Sequence, residues 1–175
     1  LRFAQYLPEF DWDPLILTAH PRSYTGVSQS ALAEVPSRLA VRRAFALDAG
    51  KHLALGGRYP RILGLPDRWW SWWLGAVPAG LNLIRRTKPA LLWSTYPIAT
   101  AHLIGYTLHR LTGIPWVADF RDPMVDPDFP TDPLQRRMFE WIECQTMEHC
   151  QRAVFTAPGT LGLYAERYPE VPRSR

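Results

Sequence analysis

The stretch Trp116-Val117-Ala118-Asp119-Phe120-Arg121-Asp122-Pro123-Met124 decides the fold. It opens as an apolar run the length of one buried strand, then turns within a few residues to two carboxylates and a guanidinium. Pro123 lacks a backbone donor and ends regular pairing. Upstream, the apolar stretch 99–111 reads as a helix closed by Gly113 and Pro115. Helix, glycine, short strand, polar residues is how a strand enters a parallel sheet and exposes its carboxyl end. Open α/β sheets bind ligands outside that end. This places the functional edge at Asp119, Arg121 and Asp122.

Working outward, residues 90–94 and 153–156 read as flanking strands, and 98–111, 134–150 and 161–168 as helices. From residue 89 onward strands and helices alternate, which predicts a Rossmann-like doubly wound parallel sheet with helices on both faces. Earlier, 14–18 and 39–43 read as strands, 1–10 as the tail of a helix, and 19–37 and 51–65 as loops. Pro66-Asp67 opens a long helix whose stripe is Trp70, Trp73, Leu74, Val77, Leu81 and Ile84, with a kink or break at Pro78. Met138, Trp141, Ile142 and Met147 are the inward positions of the helix over 134–150. Residues 1–175 make one domain.

The composition is that of a globular chain, 47% hydrophobic and 21% charged. Twenty Lys and Arg against sixteen Asp and Glu give +4, a mild excess that suits anionic partners. The arginines are scattered and no nucleic-acid-binding pattern occurs, so nucleic acid is not an expected partner. No apolar run reaches the roughly 18 residues of a membrane span. Cys144 and Cys150 fall on different sides of one helix, which predicts thiols in a reducing, cytoplasmic setting.

Three segments together carry a family likeness: Trp93-Ser94-Thr95-Tyr96-Pro97, the run Gly113 to Pro123, and Val154-Phe155-Thr156-Ala157-Pro158-Gly159. They resemble the amino-terminal domain of family 4 glycosyltransferases, which have the GT-B fold of two Rossmann-like domains facing across a cleft. The resemblance covers essentially the whole chain and begins just after that family's first strand. It implies that the central strand and the carboxyl-terminal donor-binding domain lie outside the chain, leaving the two strands that flank the central one unpaired. It also implies sugar transfer from a nucleotide-sugar to a hydroxyl in polysaccharide or glycolipid synthesis, without a divalent metal or other cofactor. This fragment alone would be inactive, and its partners would be an acceptor glycan or lipid-linked acceptor.

Arg121 stands where many relatives carry a His that contacts the reacting sugar or phosphate. A guanidinium does not act as a base, which leaves Asp122 or Asp119 for that role. The competing reading is an Arg121–Asp122 ion pair that ties down a loop. Ser94, Thr95 and Tyr96, with Thr156 and Gly159 after the last strand, are candidates for substrate binding along the same edge, or for plain helix capping and turning. Asp126-Pro127-Asp128 mimics an Asp-x-Asp metal motif, but no convergent third ligand accompanies it, and the five histidines lack metal-ligand spacing. Metal ligands are therefore expected to be none. Trp69 and Trp72 fall off the helical stripe and, with Arg68, suit an acidic membrane surface, peripheral on the inner face. Ordinary burial is the alternative. The rival functions are a non-catalytic Rossmann-like module for a phosphorylated ligand and a membrane-surface interaction domain.

Overall fold

The computed structural model describes residues 2–28, 30, 35–36, 38–54, 56 and 58–172. Among these, β1 (Leu15–Ala19) pairs in parallel with β2 (Ala40–Ala44). A second parallel sheet has the order β3 (Leu92–Thr95), β4 (Trp116–Phe120), β5 (Arg152–Phe155). The helices are α1 (Arg2–Tyr6), α2 (Ala49–His52), α3 (Ser71–Thr87), α4 (Ala99–Thr112), α5 (Pro133–His149) and α6 (Pro158–Arg167). The architecture is thus α/β with parallel strands flanked by helices, as the alternation predicts. The sheet, however, comes in two pieces.

β4 is the strand the sequence singles out, and it is covered by strands on both sides. Trp116, Ala118 and Phe120 alternate onto one face and are fully buried. On that face they meet Phe139, Ile142 and Met147 of α5 and Tyr164 of α6. Close approach of α4 depends on Gly105, where a Cβ would come within 2.6 Å of Trp116 Nε1. Ser94 lies on the same face, so its neighbour Trp93 points to the other, where Phe3 of α1 stacks on it at 4.6 Å.

The smaller sheet is held by α3. Leu17 of β1 and Ala44 of β2 join Ala76, Val77, Ile104 and Leu108 in one cluster, to which Leu92 of β3 also contributes. This cluster spans both sheets under α3 and α4, and Trp73 Nε1 donates to Thr107 Oγ1 between the helices (2.9 Å). At Gly75 a side chain would fall within 3.0 Å of Phe45 backbone atoms, so α3 rests directly on the chain leaving β2.

Several expectations are corrected here. α3 runs unbroken through Pro78, which is exposed on the outer side of the helix. Leu74, assigned to the buried stripe, is exposed, and Trp141 of α5 is half exposed. The loop over 51–65 begins with the end of α2 and carries a 3-10 turn at Arg61–Gly64. Part of the expected loop over 19–37 lies outside the described residues.

Candidate functional site

The carboxyl edge of β3-β4-β5 is built by register. Thr95 lies opposite Asp119, and its Oγ1 donates to Asp119 Oδ2 (2.9 Å). One step beyond the next pair, Phe120 and Phe155, Thr156 Oγ1 donates to the Arg121 carbonyl (2.6 Å). Two hydroxyls thus tie the exit of β4 to the exits of its neighbours. Arg121 and Asp122 are exposed. No ion pair joins them, and the Arg121 guanidinium has no hydrogen-bond partner among the described residues. The loop-tying ion pair considered from the sequence does not form; backbone and hydroxyl groups hold the loop instead.

The helices that follow these strands differ in how their amino ends are filled. Unpaired N–H groups there form an anion seat unless a side chain satisfies them. At α4 the seat is taken by Asp67, whose Oδ2 accepts from Thr100 N and Oγ1 (both 2.8 Å). Burial raises the Asp67 carboxyl above its ordinary range, against the hydrogen bonds from Thr100 and Trp69. At α5 Asp132 Oδ1 accepts from Leu134 N and Gln135 N (2.9 Å each). At α6 no side chain caps the helix, and the space around Gly159 is open. Arg121 and Asp122 therefore stand in a loop tied to the one uncapped helix of the three.

Two of the expected edge residues turn inward. Ser94 is buried: Trp116 Nε1 donates to its Oγ (2.8 Å), and that hydroxyl contacts His102 Nδ1 (2.7 Å). Tyr96 is buried as well. Burial, followed by the nearby Asp122 charge, pushes its phenol up to about 12. Both belong to the core beneath the edge. Thr95, Asp119, Arg121, Asp122, Thr156 and Gly159 remain together on it.

The structure adds a support absent from the sequence reading. Glu143, buried on α5, accepts from Tyr164 Oη (2.7 Å), Tyr168 Oη (2.9 Å) and Arg167 Nη1 (2.5 Å). Tyr164 Oη in turn accepts from Met124 N (3.1 Å), and Arg167 Nη2 donates to the Val125 carbonyl (2.9 Å). This network clamps the loop immediately after Asp122. Burial first, then the Glu143 charge, raises both tyrosine pKa values, so the phenols stay as donors. The available signal was a carboxylate inside an apolar helical face, next to Ile142 and one turn before Met147, which demands partners.

Trp69 and Trp72 are half-buried, with both indole nitrogens buried. The Arg68 guanidinium is paired with buried Asp48 and lies over the Trp69 ring at 4.9 Å. The membrane-facing trio is thus largely engaged within the domain. Asp126 Oδ1 accepts from Asp128 N (3.0 Å), which closes a turn. Among the described residues no group of three or more potential metal ligands assembles, and no helix is long and apolar enough to cross a membrane. No protein-family model matches the chain, and neither does any curated protein.

Proposed function

We propose that the chain is the acceptor-side domain of a glycosyltransferase, moving a sugar from a nucleotide donor to a hydroxyl in polysaccharide or glycolipid assembly. The observation that carries this reading is the gathering of Asp119, Arg121 and Asp122 at one sheet edge, with Arg121 and Asp122 unpaired, beside an uncapped helix. Glycosyl transfer needs a stabilised diphosphate leaving group and an acceptor hydroxyl oriented and deprotonated. Arg121 and the amino end of α6 supply cation and backbone donors for the first. Asp122, unengaged and exposed, takes the hydroxyl proton, while Asp119, held by Thr95, orients the acceptor.

An NMR titration with nucleoside diphosphate and with lipid-linked and free sugar acceptors tests the proposal. Acceptor-induced shifts at Thr95, Asp119, Asp122 and Gly159 support it. Shifts from the nucleotide alone, with no acceptor response, favour the non-catalytic phosphoryl-binding module. No response at this edge overturns both.

A further inference from the structure

The two ends of the larger sheet differ in charge. β3, β4 and β5 are parallel, so the rim at their amino ends also holds the carboxyl ends of the helices leading into them, α3, α4 and α5. Arg85, Arg86 and Lys88 lie at the end of α3, Arg110 in the last turn of α4, and Arg152 at the start of β5. All five are exposed, and none enters an ion pair among the described residues. The opposite rim, roughly 15 Å away along β4, carries Asp119 and Asp122. Cations at helix carboxyl ends complement the helix dipole. That accounts for where they stand, but not for the hollow they border.

Between the ends of α4 and α5 this rim opens into a cavity of about 460 Å³, lined by His109, Gly113, Pro115, His149, Gln151 and Arg152 among others. The backbone acceptors around it are consumed. The carbonyls of His109, Thr146, Trp116 and Pro115 accept from Gly113 N (2.8 Å), Cys150 N (2.9 Å), Gln151 N (2.7 Å) and Leu92 N (2.8 Å). The imidazoles occupy two more. His109 Nδ1 lies 2.8 Å from the Ile114 carbonyl, and His149 Nδ1 lies 3.0 Å from the Gln145 carbonyl. A carbonyl only accepts, so each Nδ1 carries the hydrogen and each Nε2 is the nitrogen left for a ligand. Neighbouring rings fix the orientation a second time. Trp116 lies 6.3 Å from His109, and Tyr106 meets His149 edge-on at 5.2 Å. The Arg152 guanidinium gives one nitrogen to the Gln151 carbonyl (3.1 Å) and keeps the rest. No carboxylate lines the cavity among the described residues; Glu148, in the last turn of α5, accepts from Cys144 Sγ and Gln145 Nε2.

We propose that this cavity is a binding site for a phosphate group, held by Arg152 and by Nε2 of His109 and of His149. A wall with free cationic donors, spent backbone acceptors and no carboxylate suits an anion that accepts several hydrogen bonds at once. A bound phosphate favours the protonated imidazole, which makes each Nε2 a further donor. The volume exceeds what one phosphate fills, and Gly113 and Pro115 add apolar surface, so the phosphate is carried on an organic group. Arg110 and the cations of α3 raise the local concentration of anions at the mouth. The site stands at the other end of the sheet from Arg121. It is therefore separate from the diphosphate of the proposed sugar transfer and does not need that reading.

Titration of the full chain with inorganic phosphate, against chloride at matched ionic strength, reads the site through the side-chain NMR resonances of His109, His149 and Arg152. Phosphate is expected to move all three saturably, and chloride is not. Arg152→Gln should weaken phosphate binding roughly tenfold or more. His149→Asn, which keeps a donor for the Gln145 carbonyl, should do the same while the amide resonances of β4 stay in place. No response to phosphate, an equal response to both salts, a response confined to Arg121 and Gly159, or full affinity in both variants overturns the proposal. A second arm identifies the source of the phosphate. Flotation with vesicles containing phosphatidic acid, absent with phosphatidylcholine alone and lost in Arg152→Gln, assigns it to a lipid headgroup. Phosphate binding without flotation assigns it to a soluble phosphoester.

Discussion

The two halves of the molecule are held in different ways. Around β3-β4-β5, a central strand flanked on both sides buries Trp116, Ala118 and Phe120 against three helices, and a buried Glu143 network locks the loop beyond. The β1-β2 half has, among the described residues, two strands, a roof borrowed from α3, and exposed aromatics at Phe3, Tyr6, Phe10 and Trp12. The half that carries the polar edge thus has its own core, while the other leans on its neighbour. A site that must hold Asp119 and Arg121 in place benefits from the stiffer support.

The contrast can be broken first at Trp116. Trp116→Ala should destabilise the chain by about 3–5 kcal/mol in denaturant unfolding, since a fully buried ring leaves a cavity under both β3 and β4. A loss below roughly 1 kcal/mol would mean that the larger half has no tight core of its own. Gly75→Ala, which presses a methyl into the Phe45 backbone, should remove about 1–3 kcal/mol. Its effect should be local, with amide exchange rising in β1 and β2 while β4 keeps its protection; uniform loss would show the halves to be one cooperative unit.

A pH test sharpens the picture of the stiffer half. Burial holds the His102 imidazole down to about 3, from an ordinary 6.5. Below pH 6.5 the unfolded chain takes up a proton that the folded chain refuses, so this contribution to stability drains away as pH falls from 6.5 toward 3. The slope is at most about 1.4 kcal/mol per pH unit. His102→Gln should flatten that part of the stability–pH curve, and parallel curves would clear His102 of the role. Smallest in stability is Arg121→Ala. Unfolding should shift by less than about 0.5 kcal/mol, yet, on the proposed glycosyltransferase reading, turnover of this domain joined to a donor-binding domain should fall at least roughly tenfold. Unchanged turnover would make Arg121 incidental.

Much of the larger half was readable because its signals are local. A short apolar run ending in Asp119 and stopped by Pro123 fixes both the strand and its exit. What was unreadable depends on partners distant in sequence. Alternation puts Ser94 and Thr95 on opposite faces, but only packing against His102 and Trp116 decides which one is core. Asp67 looked like the start of α3, yet its carboxylate serves α4, thirty-three positions on. Pro78 suggested a break, but on the solvent side of a well-anchored helix the missing donor is tolerated. Leu74 and Trp141 sat on plausible apolar stripes yet stay half exposed, Trp141 meeting Tyr106 of α4 edge-on at 6.1 Å.

The carboxylate of Asp67 behaves as a built-in ligand, a resident anion supplied by the protein itself. Removing it should convert the start of α4 into an empty receptacle, so Asp67→Gly is expected to weaken the fold and to make it newly responsive to sulfate or phosphate. Chemical rescue of its melting temperature by such salts, beyond their general effect on the parent chain, would show that the turn after β3 has been closed to phosphate by an internal substitute.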